Sequence, residues 1–153
     1  MEVAGIKIGF VSRQQPESIR LAQMLIHQIE SAGKGIVIFV DEDIAPQLGR
    51  EGISVAEMER QKVDIIVSVG GDGTILRTIH KMADPVPILG INMGTLGFLV
   101  DVEPKDAIET LKRLVSGFDV DVRSRLKLLL NGVCLPRATN EIAFLTASPA
   151  KMI

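Results

Sequence analysis

The apolar residues of this chain fall into short unbroken runs separated by longer stretches in which apolar positions recur every three or four residues. Ile6–Val11 is rich in β-branched side chains, is too short for a helix and ends at a polar loop carrying Ser12 and Arg13, so it reads as a buried strand. From Pro16, a favoured first helical residue, Ile19, Ala22, Leu25, Ile26 and Ile29 keep helical spacing until Gly33 stops them. Ile36–Val40 and Val63–Val69 repeat the buried-strand signature, and the segment from Ala45 to Arg60 between them carries only weak helical character. A glycine cluster, a helix from about Thr74 to Met82, a strand over Pro87–Ile91 and a helix from about Pro104 to Val115 complete a β-α-β-β-α-β-α order. Such alternation predicts an α/β fold, a Rossmann-like and mostly parallel sheet flanked by helices on both faces.

Beyond Gly117 the pattern changes. Val120, Val122, Leu126, Leu128 and Leu130 alternate with polar residues up to an Asn131-Gly132 pair suited to a hairpin turn, and a further strand is expected from about Arg137 to Leu145. The chain is therefore expected to hold an α/β domain over residues 1–118 and the first strands of an antiparallel, β-rich second domain over 119–153.

Composition narrows the partners. A net charge of −2 and a sequence pI of about 5.7 carry no electrostatic footprint for nucleic acid or an acidic membrane, which leaves a small molecule as the expected ligand. The apolar run in Met1–Val11 is too short for a signal peptide, and no run approaches the length of a membrane span, so a soluble, cytoplasmic protein is expected. Cys134 is the single cysteine; it excludes an internal disulfide and reads as a packing residue.

In an open α/β sheet, ligands sit beyond the carboxyl ends of the strands, and two glycine-rich loops fall there. The first is Gly70-Gly71-Asp72-Gly73-Thr74, whose glycines let a ligand approach bare backbone and whose following helix offers unpaired N–H groups to phosphate. Asp72 is its one ionised side chain, placed to take a proton from a hydroxyl or to hold a metal. An aspartate before a helix is commonly just a cap. Three surrounding glycines cost backbone entropy that a cap does not require, however, and Thr74 could fill the cap position instead. No Gly-Lys-Ser/Thr follows, so this is not a P-loop.

The second loop, Gly90-Ile91-Asn92-Met93-Gly94-Thr95-Leu96-Gly97-Phe98-Leu99, lacks the dinucleotide fingerprint because Asn92 stands where its first glycine would be. Read alone, it is a flexible turn as readily as a binding loop. Asn92 offers a donor and an acceptor, and Phe98 offers a flat face for a ring or, equally, a core side chain. In Thr139-Asn140-Glu141 the carboxylate could accept from a ribose diol, although in a regular strand Asn140 and Glu141 point to opposite faces. Arg13 and Arg77 are weaker phosphate candidates that read first as solvated side chains. His27 and His80 show no metal-ligand partner at helical spacing, and no protein metal cage is expected.

Taken together, Gly70-Gly71-Asp72-Gly73-Thr74, the Asn92–Leu99 loop and Asn140-Glu141 resemble, in order and spacing, the NAD kinase family of the archaeal or bacterial type. The ending Ala147-Ser148-Pro149-Ala150-Lys151 is similar to such members too. The first loop alone is shared with diacylglycerol-type lipid kinases and 6-phosphofructokinases; the second narrows the resemblance.

It implies phosphorylation of the adenosine-ribose 2′-hydroxyl of NAD to give NADP, with ATP or polyphosphate as donor and Mg2+ accompanying it. It further implies that Asp72 is the base and that Gly71, Gly73 and Thr74 border the reacting phosphate. Asn92, Gly94, Gly97 and Phe98 would line the nucleotide pocket, Asn140 and Glu141 would hold the dinucleotide, and full-length members would pair into homo-oligomers.

In the family the second domain is complete, whereas here it has begun but not closed by Ile153. A C-terminally truncated chain with little activity of its own is therefore expected. Two other readings stay open: a non-catalytic nucleotide-binding remnant, and a lipid kinase of the same superfamily, which is disfavoured because such kinases carry a Gly-Thr-Ala-Asn-Asp type of second loop.

Overall fold

The computed structural model describes residues 5–32, 35–95, 97–100 and 102–142. Gly33, Leu96, the Ala147–Lys151 ending and the far part of the strand expected to reach Leu145 lie outside them. The chain divides into two compact units, Met1–Val120 and Asp121–Ile153.

In the first unit, β1 (Ile6–Ser12), β2 (Ile36–Val40), β3 (Ile65–Gly70) and β4 (Ile88–Asn92) form a four-stranded sheet in the order β2-β1-β3-β4, with every pair parallel. β3 is buried at all six positions, which is why its sequence is apolar on both faces rather than alternating, with Ser68 as its one polar side chain.

Successive residues point to opposite faces. Ile8, Phe10, Val67, Val69 and Ile91 pack against α1 (Pro16–Ala32) and α5 (Ala107–Leu114). Val11 and Ile66 point the other way, toward Val55 and Met58 of α3 (Val55–Arg60). α4 (Asp72–His80) lies on that second face too, because a Cβ on Gly70 would meet Thr74 and one on Gly90 would meet Ile75.

The crossover from β2 to β3 is where the structure departs most from the sequence reading. The stretch of weak helical character holds two short helices, α2 (Ala45–Leu48) and α3. The Ser54 hydroxyl caps α3 by accepting from the Glu57 N–H at 3.1 Å, half of a Ser-x-x-Glu capping box, while the Glu57 carboxylate turns instead to Arg60 and Gln61. α4 begins two residues earlier than expected, and Pro104–Asp106 is a single 3₁₀ turn leading into α5.

In the second unit, β5 (Leu129–Leu130) and β6 (Val133–Cys134) pair antiparallel. They turn through Asn131 and Gly132, both at positive φ (50° and 81°), as a type I′ hairpin requires. One further bridge, Leu126 to Ala138, extends the ladder. The longer strands expected on either side are not formed among the described residues: Val122, Leu126, Leu129, Leu130 and Val133 stay exposed, so no buried face holds them to a regular ladder. Cys134 is exposed as well, which corrects its reading as a packing residue.

Candidate functional site

In the first unit the chain leaves β1 for α1 on one face of the sheet and leaves β3 for α4 on the other. The carboxyl ends of β1 and β3 therefore flank a crevice, the switch point at which ligands of doubly wound sheets bind. Ser12 and Arg13 stand on one side of it and Gly70–Gly73 on the other. The β4 loop that starts at Asn92 closes a third side, leaving β4 and returning to it where the Asn92 N–H donates to Val102 O at 2.8 Å.

Asp72 is the first residue of α4, after Gly71 at the N-cap, and it makes no capping bond. Its carboxylate instead reaches the second loop, where Oδ2 accepts from the Phe98 N–H at 2.8 Å and Oδ1 from the Leu99 N–H at 3.0 Å. The capping reading is thereby replaced by a clamp between the two glycine loops. A carboxylate has about four acceptor directions, so this clamp leaves others for a hydroxyl. The negative charge also sits at the positive end of the α4 dipole.

The glycines divide by what surrounds them. A Cβ on Gly97 would collide with the Asp72 carboxylate, and one on Gly70 with the Thr74 side chain, so both are needed for close packing. Among the described residues nothing lies within 4 Å of where a Cβ on Gly71, Gly73 or Gly94 would stand, which leaves bare backbone beside the crevice. Thr74 is not the cap: it is the third residue of α4 and is buried, with its N–H donating to Gly71 O at 2.9 Å.

The second loop is locally braced. Asn92 Oδ1 accepts from the Gly94 N–H at 3.0 Å and its Nδ2 donates to Thr95 O at 3.2 Å, so both of its functions are engaged within the loop. Phe98 is 90% exposed, which removes the core-packing reading.

Arg13 is not a solvated loop arginine. It is half-buried, with Nη2 donating to Met93 O at 3.1 Å. Arg77 lies exposed in the last turn of α4, away from the helix N-terminus. Asn140 and Glu141 belong to the second unit, where they are exposed and lie beyond the Leu126–Ala138 bridge rather than in a regular strand. Strand alternation therefore does not force their side chains apart. No three His, Cys, Asp or Glu side chains among the described residues are grouped to hold a metal ion.

Sequence reasoning found both loops but not what joins them. The partners of Asp72 and Arg13 are main-chain groups, and no side-chain pattern announces those.

A parallel sheet with its switch point between β1 and β3, and a glycine-lined aspartate opening a helix there, define a doubly wound α/β protein. Comparison with known proteins narrows this. The chain belongs to the NAD kinase family, whose ATP-NAD kinase N-terminal domain matches residues 8–118.

An NAD kinase of Methanosarcina barkeri is 51% identical over 148 residues, covering 96% of this chain and 53% of the relative. A yeast NADH kinase solved with NADH shares the fold, with a TM-score of 0.74 at 20% identity over 91% of this chain and 48% of that one. An NAD kinase from Archaeoglobus fulgidus, solved with ATP, has a TM-score of 0.57 at 26% identity, covering 84% of this chain and 45% of that one. The chain thus spans about half the length of these proteins. No helix among its described residues is long and apolar enough to cross a membrane.

Proposed function

We propose that the protein transfers a phosphoryl group from ATP or inorganic polyphosphate to the adenosine-ribose 2′-hydroxyl of NAD, giving NADP. The observation that carries this reading is Asp72, whose carboxylate stands at the switch-point crevice beside glycines with no atoms over them and keeps acceptor capacity beyond its two backbone bonds. In the proposed reaction Asp72 accepts the hydroxyl proton as the oxygen attacks the terminal phosphorus, and the bond to the leaving phosphate breaks in line. The backbone at Gly71 and Gly73 flanks the phosphates, and Phe98 gives a flat apolar face for a ring of the dinucleotide.

Magnesium would arrive on the donor's phosphates, since no three His, Cys, Asp or Glu side chains among the described residues are grouped into a cage. Asn140 and Glu141 are assigned to the dinucleotide, the carboxylate to its ribose hydroxyls. We also assign the protein to the cytoplasm and to a homo-oligomer, for which the exposed apolar residues of the second unit offer a surface.

Because the chain spans about half of its relatives' length, we expect slow turnover from it alone. The test joins it to the part of the Methanosarcina barkeri relative that the match does not cover and supplies NAD, ATP and magnesium. NADP should accumulate, and Asp72→Asn should lower kcat by roughly 10²–10⁴, the usual worth of a positioned base. Phosphorylation of a lipid with no NADP formed would refute the assignment; a folded Asp72→Asn protein with normal kcat would remove Asp72 from the base role.

A further inference from the structure

Arg13 is held in place as though for a ligand of its own. Its N–H donates to Val69 O at 2.9 Å, fixing the backbone to the central strand. Its Cβ lies 3.4 Å from where a Cβ on Gly70 would stand, and its guanidinium crosses the end of β3 to reach Met93 O at 3.1 Å. The side chain therefore runs across the carboxyl ends of β1, β3 and β4, along the floor of the crevice that Gly71, Asp72 and Gly73 border.

Of the five N–H donors of a guanidinium, only the one on Met93 has a protein acceptor within hydrogen-bonding geometry among the described residues, and Nε is buried with none. None of the ion pairs among the described residues involves Arg13. A half-buried cation with a single neutral carbonyl as partner bears a desolvation cost that an anion would offset.

We propose that Arg13 is a phosphate-binding residue of this crevice, gripping a phosphoryl group of a nucleotide or polyphosphate opposite the N-terminus of α4. The inference rests on the nucleotide reading of the site but not on the 2′-hydroxyl chemistry. Phosphate fits better than carboxylate because the facing side supplies bare backbone and the positive end of a helix, which together suit a multiply charged tetrahedral group. The planar fork of arginine matches two oxygens of such a group, as an ammonium does not.

The experiment is calorimetry of the 153-residue chain and its Arg13→Met and Arg13→Lys variants with tripolyphosphate, ATP, NAD and adenosine, alongside urea unfolding. Tripolyphosphate and ATP should bind the parent chain, and Arg13→Met should weaken both by about 10- to 100-fold while adenosine affinity stays unchanged. Arg13→Lys should recover part of the loss, and it keeps the test intact should Arg13→Met unfold. An equal loss on NAD assigns the grip to the dinucleotide's diphosphate; NAD affinity left intact assigns it to the donor.

The proposal is overturned by an equal loss on adenosine, which would make Arg13 only a staple for Met93. It is also overturned by no loss at all, or by a parent chain that binds none of the phosphates. The proposed reaction can fail separately. Binding that depends on Arg13 in a joined protein that makes no NADP removes the reaction and keeps the site, whereas NADP formation unaffected by Arg13→Met does the reverse.

Discussion

A Cβ added to Gly97 would be driven into the Asp72 carboxylate, whereas one added to Gly73 would point into open space. The two glycines therefore answer the same substitution oppositely. Gly97→Ala forces the second loop off Asp72 and should cost about 1–3 kcal/mol by overpacking. Gly73 has a helical backbone, so Gly73→Ala should stabilise α4 by up to about 1 kcal/mol while its methyl intrudes where a phosphate would lie. Urea midpoints should move in opposite directions, and ATP binding should weaken in both. A Gly73→Ala chain that is more stable and binds ATP normally would show that the bare backbone is not a binding surface. These residues also mark how far the site was legible. The loops announced themselves because glycines flanking one carboxylate have little other use. The Asp72 clamp did not, because its donors are the N–H groups of Phe98 and Leu99, 26 and 27 residues away, which every residue but proline possesses.

Between elements, the crossover from β2 to β3 is held by small devices. Ser54→Ala removes the side-chain N-cap of α3 and should cost about 1 kcal/mol by urea unfolding, with little effect on ligand binding because α3 lies outside the crevice. At the end of β2, Asp41 is buried at 4% exposure and faces Lys81, the C-cap of α4, at 3.8 Å, while Lys81 pairs more closely with Asp43 at 2.9 Å. Burial raises the Asp41 pKa more than Lys81 lowers it, so the folded chain holds that proton more tightly than the unfolded one. Its contribution to stability is therefore greatest below the ordinary aspartate value of 3.8 and is lost as pH rises from there through the raised value. Asp41→Asn should flatten that part of a plot of urea midpoint against pH; an unchanged slope would clear Asp41. The strands were legible because a parallel sheet covered by helices favours short, largely apolar runs rich in β-branched residues. α2 and α3, with four and six residues, are too short to show a helical period, although Ser54-x-x-Glu57 was there to be read. The start of α4 was missed because Asp72 and Gly73, which follow the extended N-cap Gly71, have the composition of a loop although they form the first turn of the helix.

For the whole molecule, both apolar clusters among the described residues are built from residues between Ile6 and Leu114, which all belong to the first unit. The second unit has a hairpin of two-residue strands and leaves Val122, Leu126, Leu129, Leu130 and Val133 between 49% and 88% exposed. A hairpin of two-residue strands with exposed apolar side chains contributes little cooperative stability, and those side chains invite association. The chain ended after Val120 should therefore unfold in a single transition, with a free energy within about 0.5 kcal/mol of that of the 153-residue chain, and should stay monomeric at higher concentration. It should also keep Arg13-dependent binding of tripolyphosphate, since Arg13, Gly71, Asp72 and Gly73 all lie within it, while losing whatever NAD affinity Asn140 and Glu141 supply. Urea unfolding, light scattering and calorimetry on the two lengths read these outcomes separately. A non-cooperative transition in the shorter chain would mean that the second unit completes the core, and lost tripolyphosphate binding would mean that the phosphate site needs residues beyond Val120.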